Sequence, residues 1–284
     1  MRTRIISSIA ALILLVLIMF LGREALGAAV FVLALIGIHE FYGAMESGGY
    51  KPIKPIGYLS CLPLLYLCFK DRINASGLSF SLEPFKGLSL VMFLVILAVF
   101  CVLIFKFEKY KVADTAVTIL GIVYVIFLFS FITLVRYMGE RGDLYIWLVF
   151  AGAWATDTFA YFSGVAFGRT KILPVVSPKK SLEGSIGGVL GCVAVMTALG
   201  AFLNTRGIYD PGGIPFYHYI ALGLLCGIIS QAGDWSASAI KRHVGIKDYG
   251  RLMPGHGGVL DRFDSILFVA PVVYFYLSLC LAIG

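Results

Sequence analysis

The sequence predicts an all-α polytopic integral membrane protein with about nine transmembrane helices. Hydrophobic residues make up 60% of the 284 residues and charged residues only 14%, whereas a soluble domain has about 25% charged residues. Apolar runs of about 20 residues, the length that crosses a bilayer, recur along the whole chain. A backbone in lipid must satisfy its own hydrogen bonds, so these runs are expected to be helices.

The predicted spans leave no room between them for a sizeable soluble domain. We divide the chain into N-terminal transmembrane helices at 1–143, which hold spans one to five, and a catalytic transmembrane region at 144–284. The second region contains the two most polar loops, 168–184 and 241–263. The nine spans are approximately 5–22, 26–45, 53–69, 88–105, 114–135, 144–167, 185–203, 216–240 and 264–283.

The distribution of Lys and Arg predicts the orientation in the membrane. With the N-terminus in the cytoplasm, 16 of the 23 Lys and Arg residues fall on the cytoplasmic side. Cytoplasmic loops of membrane proteins carry an excess of these residues. We therefore expect a cytoplasmic N-terminus, an external C-terminus and a cytoplasmic position for both polar loops.

Acidic and basic side chains share one face at the end of the eighth span. The residues are Asp234, Ser238, Lys241 and Arg242, spaced i, i+4, i+7 and i+8 on a helix. A carboxylate inside a bilayer costs about 2.5–3.5 kcal/mol or more, so Asp234 is a functional candidate. Lys241 or Arg242 taken alone is better explained as a cation that extends to the interface. Taken together, this face predicts that Asp234 binds a metal ion and that Lys241 and Arg242, nearer the membrane surface, bind phosphate.

Two further carboxylates stand at the start of the last span. Asp261 and Asp264 are spaced i, i+3 and so lie on one helix face. Together with Asp234 they offer the hard oxygen ligands that Mg²⁺ prefers. Taken singly, each is also explained as a first-turn acid that complements the helix dipole. The three carboxylates together therefore predict a site for a divalent cation.

The 241–263 loop also carries candidate phosphate-binding groups. His256 lies among glycines, which let the backbone approach an anion closely enough for consecutive N–H groups to cradle it. An ordinary loop turn is the alternative interpretation. His256 itself could bind phosphate or pass a proton, and the same loop supplies Lys247, Asp248 and Arg262.

A second basic loop precedes the seventh span. Ser177, Lys179 and Lys180 are enclosed by prolines and glycines, which favours a compact loop that binds phosphate. A topology signal or attraction to anionic lipid is the alternative. Gly184 and Gly188 then give a small-xxx-small spacing, which predicts close helix packing and brings this loop near its neighbours.

Polar residues also occur inside two other spans. Asp157 lies in the otherwise apolar sixth span, where an ionisable residue is a functional candidate that should face the protein interior. A hydrogen bond between helices is the alternative. In and after the second span, His39, Glu40 and Glu46 are expected to be interior packing partners.

The combination of these motifs resembles the phosphatidate cytidylyltransferases, also called CDP-diacylglycerol synthases. The similarity covers the chain from Asp157 to the C-terminus, whereas spans one to five match only as generic apolar helices. Met253 departs from the Ile, Leu or Phe usual in the family, and a flexible apolar side chain fits the same position. The motifs are Asp157-Thr-x-Ala-Tyr161, Ser177-Pro-Lys-Lys180, Gln231-x-Gly-Asp234 and Ser238-x-Ile-Lys-Arg-x4-Lys247-Asp-x-Gly250-x2-Met253-Pro-Gly-His256-Gly-Gly-Val-x-Asp261-Arg-Phe-Asp264.

The resemblance implies that CTP and phosphatidate react, with Mg²⁺, to give CDP-diacylglycerol and pyrophosphate. It also implies a bacterial inner membrane location, with the site facing the cytoplasm, and a homodimer is plausible. The catalytic residues would be Asp234, Lys241, Asp261 and Asp264. One or two divalent ions would have Asp234 and Asp261 as principal ligands, with Asp264 as a third ligand or a residue that supports the other two. The substrate-binding residues would be Asp157, Ser177, Lys179, Lys180, Ser238, Arg242, Lys247, Asp248, His256 and Arg262.

Two other functions are considered. A CTP-dependent polyprenol or phytol kinase would attack the γ-phosphorus of CTP and release CDP. A secondary transporter could use Asp157 and Asp234 as an ion or proton relay, but transporters often show repeated halves. The polar motifs of this chain lie in one half only.

Overall fold

Most of the residues that the structure describes are helical. An isolated antiparallel β-bridge pairs Lys171 with Ser181. Each of the nine predicted spans coincides with a helix or with successive helices, which confirms the all-α fold. The computed structural model describes residues 2–75, 84–139, 141–205, 214–252 and 257–280.

Within the described residues, the first part of the chain forms seven α-helices and one π-helical turn. The third predicted span is broken into two helices at residues 60–61, and the fifth contains the π-helical turn. The elements are α1 Arg2–Phe20, α2 Arg23–Ser47, α3 Lys54–Leu59, α4 Leu62–Ala75, α5 Pro84–Phe105, α6 Val112–Gly121, the π-helical turn Ile122–Phe127, and α7 Leu128–Arg136.

In the second part of the chain, the described residues include four long helices. They are α8 Gly142–Phe167, α9 Leu182–Thr205, α10 Phe216–His243 and α11 Leu260–Phe275, and a π-helical turn at Tyr276–Cys280 follows α11.

Several helices are long and apolar enough to cross a membrane. Among the described residues five meet both conditions: Arg23–Ser47, Val112–Arg136, Leu182–Asn204, Phe216–His243 and Leu260–Leu279. Shorter apolar helices lie at Ile9–Leu21, Lys54–Phe69 and Ser89–Phe105. Helix α8 has 26 residues and is not among the five. The number and direction of the crossings stay predictions.

The chain divides into two compact units. One comprises Met1–Tyr137 and His243–Arg262, and the other comprises Met138–Arg242 and Phe263–Gly284. Residues 243–262 therefore belong to the same unit as the N-terminal helices. We call residues 243–262 the signature segment.

Helix α2 is at the centre of the first unit. It packs against α1, α3, α4, α6 and α7, and its side chains Ile38, Phe41 and Tyr42 are fully buried. The Tyr42 hydroxyl donates a hydrogen bond to the carbonyl oxygen of Thr118 at 3.1 Å. Burial of a single large apolar side chain contributes about 1.5–3 kcal/mol in water, and in lipid the same close packing supplies van der Waals contact.

Helices α8 and α9 form the closest pair in the second unit. A Cβ atom on Gly184 would lie 2.9 Å from the carbonyl oxygen of Ala160, and one on Gly188 would lie 2.9 Å from the Ala160 Cβ. Larger residues at these positions would force the helices apart. The predicted close packing through the glycines of α9 is therefore confirmed.

Candidate functional site

Helices α10 and α11 approach each other closely next to two acidic residues. A Cβ on Gly233 would lie 2.5 Å from the backbone oxygen of Asp264, so only glycine fits there without a shift. Gln231, two residues before Gly233, donates from Nε2 to the carbonyl oxygens of Ser185 at 3.1 Å and Gly227 at 2.9 Å. The Gln-x-Gly-Asp motif thus fastens α10 to α9 and to α11 and fixes the position from which Asp234 projects.

Three carboxylates of the second unit, Asp157, Asp234 and Asp264, form what we call the acidic cluster. Asp264 is only 9% exposed. Its carboxylate lies within electrostatic range of the Asp234 and Asp157 carboxylates and of the Lys241 ammonium group. Ser265 joins the cluster, because its backbone N–H donates to Asp264 Oδ1 at 2.8 Å and its hydroxyl donates to Asp157 Oδ1 at 3.3 Å. The structure therefore brings together three acids that lie on three different helices, α8, α10 and α11.

Lys180 pairs with the acidic cluster. Its Nζ lies 3.1 Å from Asp234 Oδ2, and the two side chains are 32% and 24% exposed. Oδ2 itself is buried and has no aligned hydrogen bond, so the contact with Lys180 is electrostatic. Three carboxylates against the ammonium groups of Lys180 and Lys241 leave a formal charge of about −1, which favours a further cation.

The loop that presents Lys180 is compact, as predicted. We call residues 168–181 the basic loop. Glu183 accepts the backbone N–H groups of Arg169 at 3.0 Å and Thr170 at 3.2 Å, and Lys171 pairs with Ser181 across the base of the loop. The backbone N–H of Lys180 donates a hydrogen bond to the carbonyl oxygen of Ser177 at 3.1 Å, which tightens the last turn of the loop.

The described residues fit a magnesium ion through their chemistry. They contain no group of three or more His, Cys, Asp or Glu side chains already close enough to hold a metal. Mg²⁺ usually takes only one or two protein carboxylates, however, and completes its six ligands with water and substrate phosphates. Asp234 and Asp264 provide hard oxygen atoms, and the buried Asp234 Oδ2 lacks an aligned hydrogen-bond donor. These two residues would hold the ion.

The signature segment of the first unit is organised by two other carboxylates. Asp261 Oδ2 accepts the backbone N–H groups of Tyr249 at 2.8 Å and Gly258 at 2.9 Å. Glu40 on α2 accepts the N–H groups of Val259 and Leu260, both at 3.0 Å. Asp261 therefore shapes the loop in this structure, and its role as a metal ligand stays a prediction.

Sequence reasoning missed this contribution of Glu40. The expectation of an interior position is confirmed for Glu40, which is 7% exposed. It is wrong for His39 and Glu46, which are exposed. The contacts of Glu40 with Val259 and Leu260 span 219 and 220 residues of sequence. The one available signal is the position of a carboxylate inside an apolar helix, where it requires polar partners.

For the other predicted site residues the structure gives the exposure of each side chain. On the signature segment, the side chains of Lys247, Asp248 and Arg262 are exposed. At the end of α10, Ser238 is half-buried and Arg242 is exposed. Ser177 is half-buried and Lys179 is exposed on the basic loop, and Asp157 is exposed on α8 although it contacts Ser265. His256 lies outside the described residues. No described contact tests their roles toward phosphates.

Comparison with known proteins identifies the family. The model of the cytidylyltransferase family matches residues 2–280. The phosphatidate cytidylyltransferase of Thermotoga maritima is 34% identical over 275 residues, which cover 96% of this chain and 95% of the relative. The enzymes of the same name from Staphylococcus haemolyticus and Bacillus subtilis are 31% and 27% identical, covering 96% and 98% of this chain and 97% and 98% of their own lengths. This chain is a member of the cytidylyltransferase family.

Proposed function

We propose that this protein is a phosphatidate cytidylyltransferase. It transfers the cytidylyl group of CTP to phosphatidate and so produces CDP-diacylglycerol and pyrophosphate for phospholipid biosynthesis. Relatives of that name match the chain over nearly its whole length. The observation that carries the proposal is the meeting of Lys180 with Asp234 and Asp264 in one unit, because the reaction needs both a cation and carboxylates beside phosphate groups.

The chemistry requires positioning and charge neutralisation. An oxygen of the phosphatidate phosphate attacks the α-phosphorus of CTP, the bond from that phosphorus to the bridging oxygen breaks, and pyrophosphate leaves with the bond electrons. Lys180 and Lys241 would bind phosphate oxygens and reduce the repulsion between the two anionic substrates. Phosphatidate is already ionised at pH 7, so the protein need not remove a proton.

A bound magnesium ion would add positive charge beside the phosphate oxygens and help to orient them. Asp234 and Asp264 would hold it on the evidence of their burial and their electrostatic coupling. Asp261, one turn before Asp264 on α11, is proposed as a further ligand through its second carboxylate oxygen.

The membrane setting follows from the two substrates. Phosphatidate is a lipid, whereas CTP is soluble in the cytosol, so we place the site at the cytoplasmic side of the inner membrane. The exposed side chain of Asp157 supports an aqueous opening, because a carboxylate facing lipid would cost about 2.5–3.5 kcal/mol. A homodimer is compatible with this arrangement and stays part of the proposal.

The family match argues against the two alternative functions. A transporter is not expected to match the model of a cytidylyltransferase family over residues 2–280. A lipid kinase shares the need for CTP but leaves the cytidylyl group on the released CDP.

An assay with isotopically labelled CTP tests the proposal. The purified protein is incubated with Mg²⁺, phosphatidate and CTP labelled at the α-phosphorus, and the lipid is extracted. We expect the label in the lipid fraction and an equal amount of pyrophosphate in the water phase. Label that appears only in free CDP would show a kinase, and label that stays in CTP would overturn the proposed activity. Heat-inactivated protein is the control for unreacted CTP carried into the extract.

A further inference from the structure

Glu40 makes a connection that neither the family motifs nor the acidic cluster includes. It lies on α2, is 7% exposed, and uses both carboxylate oxygens on the signature segment. Oε1 accepts the N–H of Val259 and Oε2 accepts the N–H of Leu260, the first residue of α11. A carboxylate from another helix thus satisfies the N-terminal amides of α11, a place where the helix dipole favours negative charge.

Two glycines of the signature segment lie directly against the Glu40 carboxylate. A Cβ on Gly258 would lie 2.5 Å from both oxygens of Glu40, and a Cβ on Gly250 would also collide with Oε1. Neither glycine has a positive φ angle, so their backbone conformation does not require glycine. A larger residue at either position would therefore displace the Glu40 carboxylate from its two N–H donors.

We propose that Glu40 is a positioning residue for cytidylyl transfer. It holds the signature segment, including Gly250 and Gly258, and fixes the point at which α11 begins. Asp261, whose carboxylate accepts the Gly258 N–H, is held in turn by the same fold of the segment. Glu40 acts through this segment and touches no reacting group. The inference rests on the proposed function but has a structural readout of its own.

A double-mutant cycle tests the direct contact. Gly258→Ala in the wild-type chain should lower kcat/KM at least about tenfold, because the new methyl group displaces the Glu40 carboxylate. Glu40→Ala should also lower it at least about tenfold, because two buried N–H groups lose their acceptor. In the Glu40→Ala chain the further change Gly258→Ala should cost less than about twofold. Equal costs of Gly258→Ala in both chains would overturn the proposal.

Matched controls distinguish the loss of the contact between Glu40 and Gly258 from a general destabilisation of the protein. Gly257→Ala should cost the same in both chains, because Gly257 has φ +85° and its Cβ would meet Asp261 instead of Glu40. Glu46→Gln, an exposed change on the same helix, should leave activity within about twofold. If the Glu40→Ala protein cannot be produced, Gly258→Ala is measured in the Glu40→Asp chain instead, because the shorter aspartate side chain does not reach Gly258.

Hydrogen exchange gives the readout that does not depend on activity. Backbone exchange is measured by mass spectrometry on the detergent-solubilised protein, with Glu40→Gln beside the wild type. We expect faster exchange in peptides that cover 257–262 and 243–252. Exchange in α4 and α7 should be unchanged, because the glutamine side chain keeps one acceptor oxygen and the overall fold is preserved. Unchanged exchange in the signature segment, or equally faster exchange throughout the first unit, would contradict the positioning role even in a protein that shows no cytidylyl transfer. Glu46→Gln again serves as the control.

Discussion

Removing Lys180 tests the electrostatic balance of the acidic cluster. The Lys180 Nζ lies 3.1 Å from Asp234 Oδ2, and two unit charges at that distance attract by about 5 kcal/mol at an effective dielectric constant of about 20. Both side chains are less than a third exposed, so the cost of removing them from water offsets much of this attraction. We expect a net coupling of about 1–3 kcal/mol.

The coupling is measured with Lys180→Met, Asp234→Asn and the double variant. The free energy of unfolding is determined for each protein by denaturant titration in mixed micelles. Either single change should destabilise the protein, because it leaves an unpaired charge in a partly buried place. The double variant should be more stable than the sum of the two losses predicts, by about 1–3 kcal/mol.

A matched cycle on the neighbouring lysine provides the control. Lys179 is exposed on the same loop, so Lys179→Met and Asp234→Asn should be additive within about 0.5 kcal/mol. Additivity in the Lys180 cycle as well would refute the ion pair and the charge balance inferred from it.

Three further outcomes follow from the structure. Asp264→Asn should abolish CDP-diacylglycerol formation while the protein still inserts and purifies normally, and near-normal turnover would end its assignment to the metal. Gly188→Leu should destabilise the α8–α9 pair by about 1–3 kcal/mol or more in unfolding titrations, whereas Leu190→Ala, at an exposed position of α9, should have a far smaller effect. A cysteine replacing the exposed Arg251 should react with a membrane-impermeant maleimide only in inside-out vesicles, and labelling of intact cells would reverse the predicted topology.

The helices could be predicted from sequence because their physical cause is local. Apolar runs of bilayer length must be helical whatever surrounds them, and every predicted span coincides with helix. The break between α3 and α4 was not predicted, although Pro63 stands directly after it and Pro favours the first turn of a new helix. The π-helical turn between α6 and α7 was not predicted either.

Part of the candidate site was also within reach of the sequence. Asp157 and Asp234 were selected because a carboxylate in an apolar span is costly, and Asp264 because it shares a helix face with Asp261. The contact between Lys180 and Asp234 had only the compactness of the basic loop to suggest it. The carboxylate of Glu40 inside an apolar helix indicated a need for polar partners, but nothing local to it identified Val259, 219 residues away, as one of them.

Binding of a divalent ion to the acidic cluster is tested most directly by electron paramagnetic resonance with Mn²⁺, which takes the same oxygen ligands as Mg²⁺. The wild type and Asp143→Asn, a change at an exposed carboxylate of α8, should bind Mn²⁺ with the same affinity. Asp234→Asn and Asp264→Asn should each weaken binding more than about tenfold. Wild-type affinity in both of the latter variants would contradict the account.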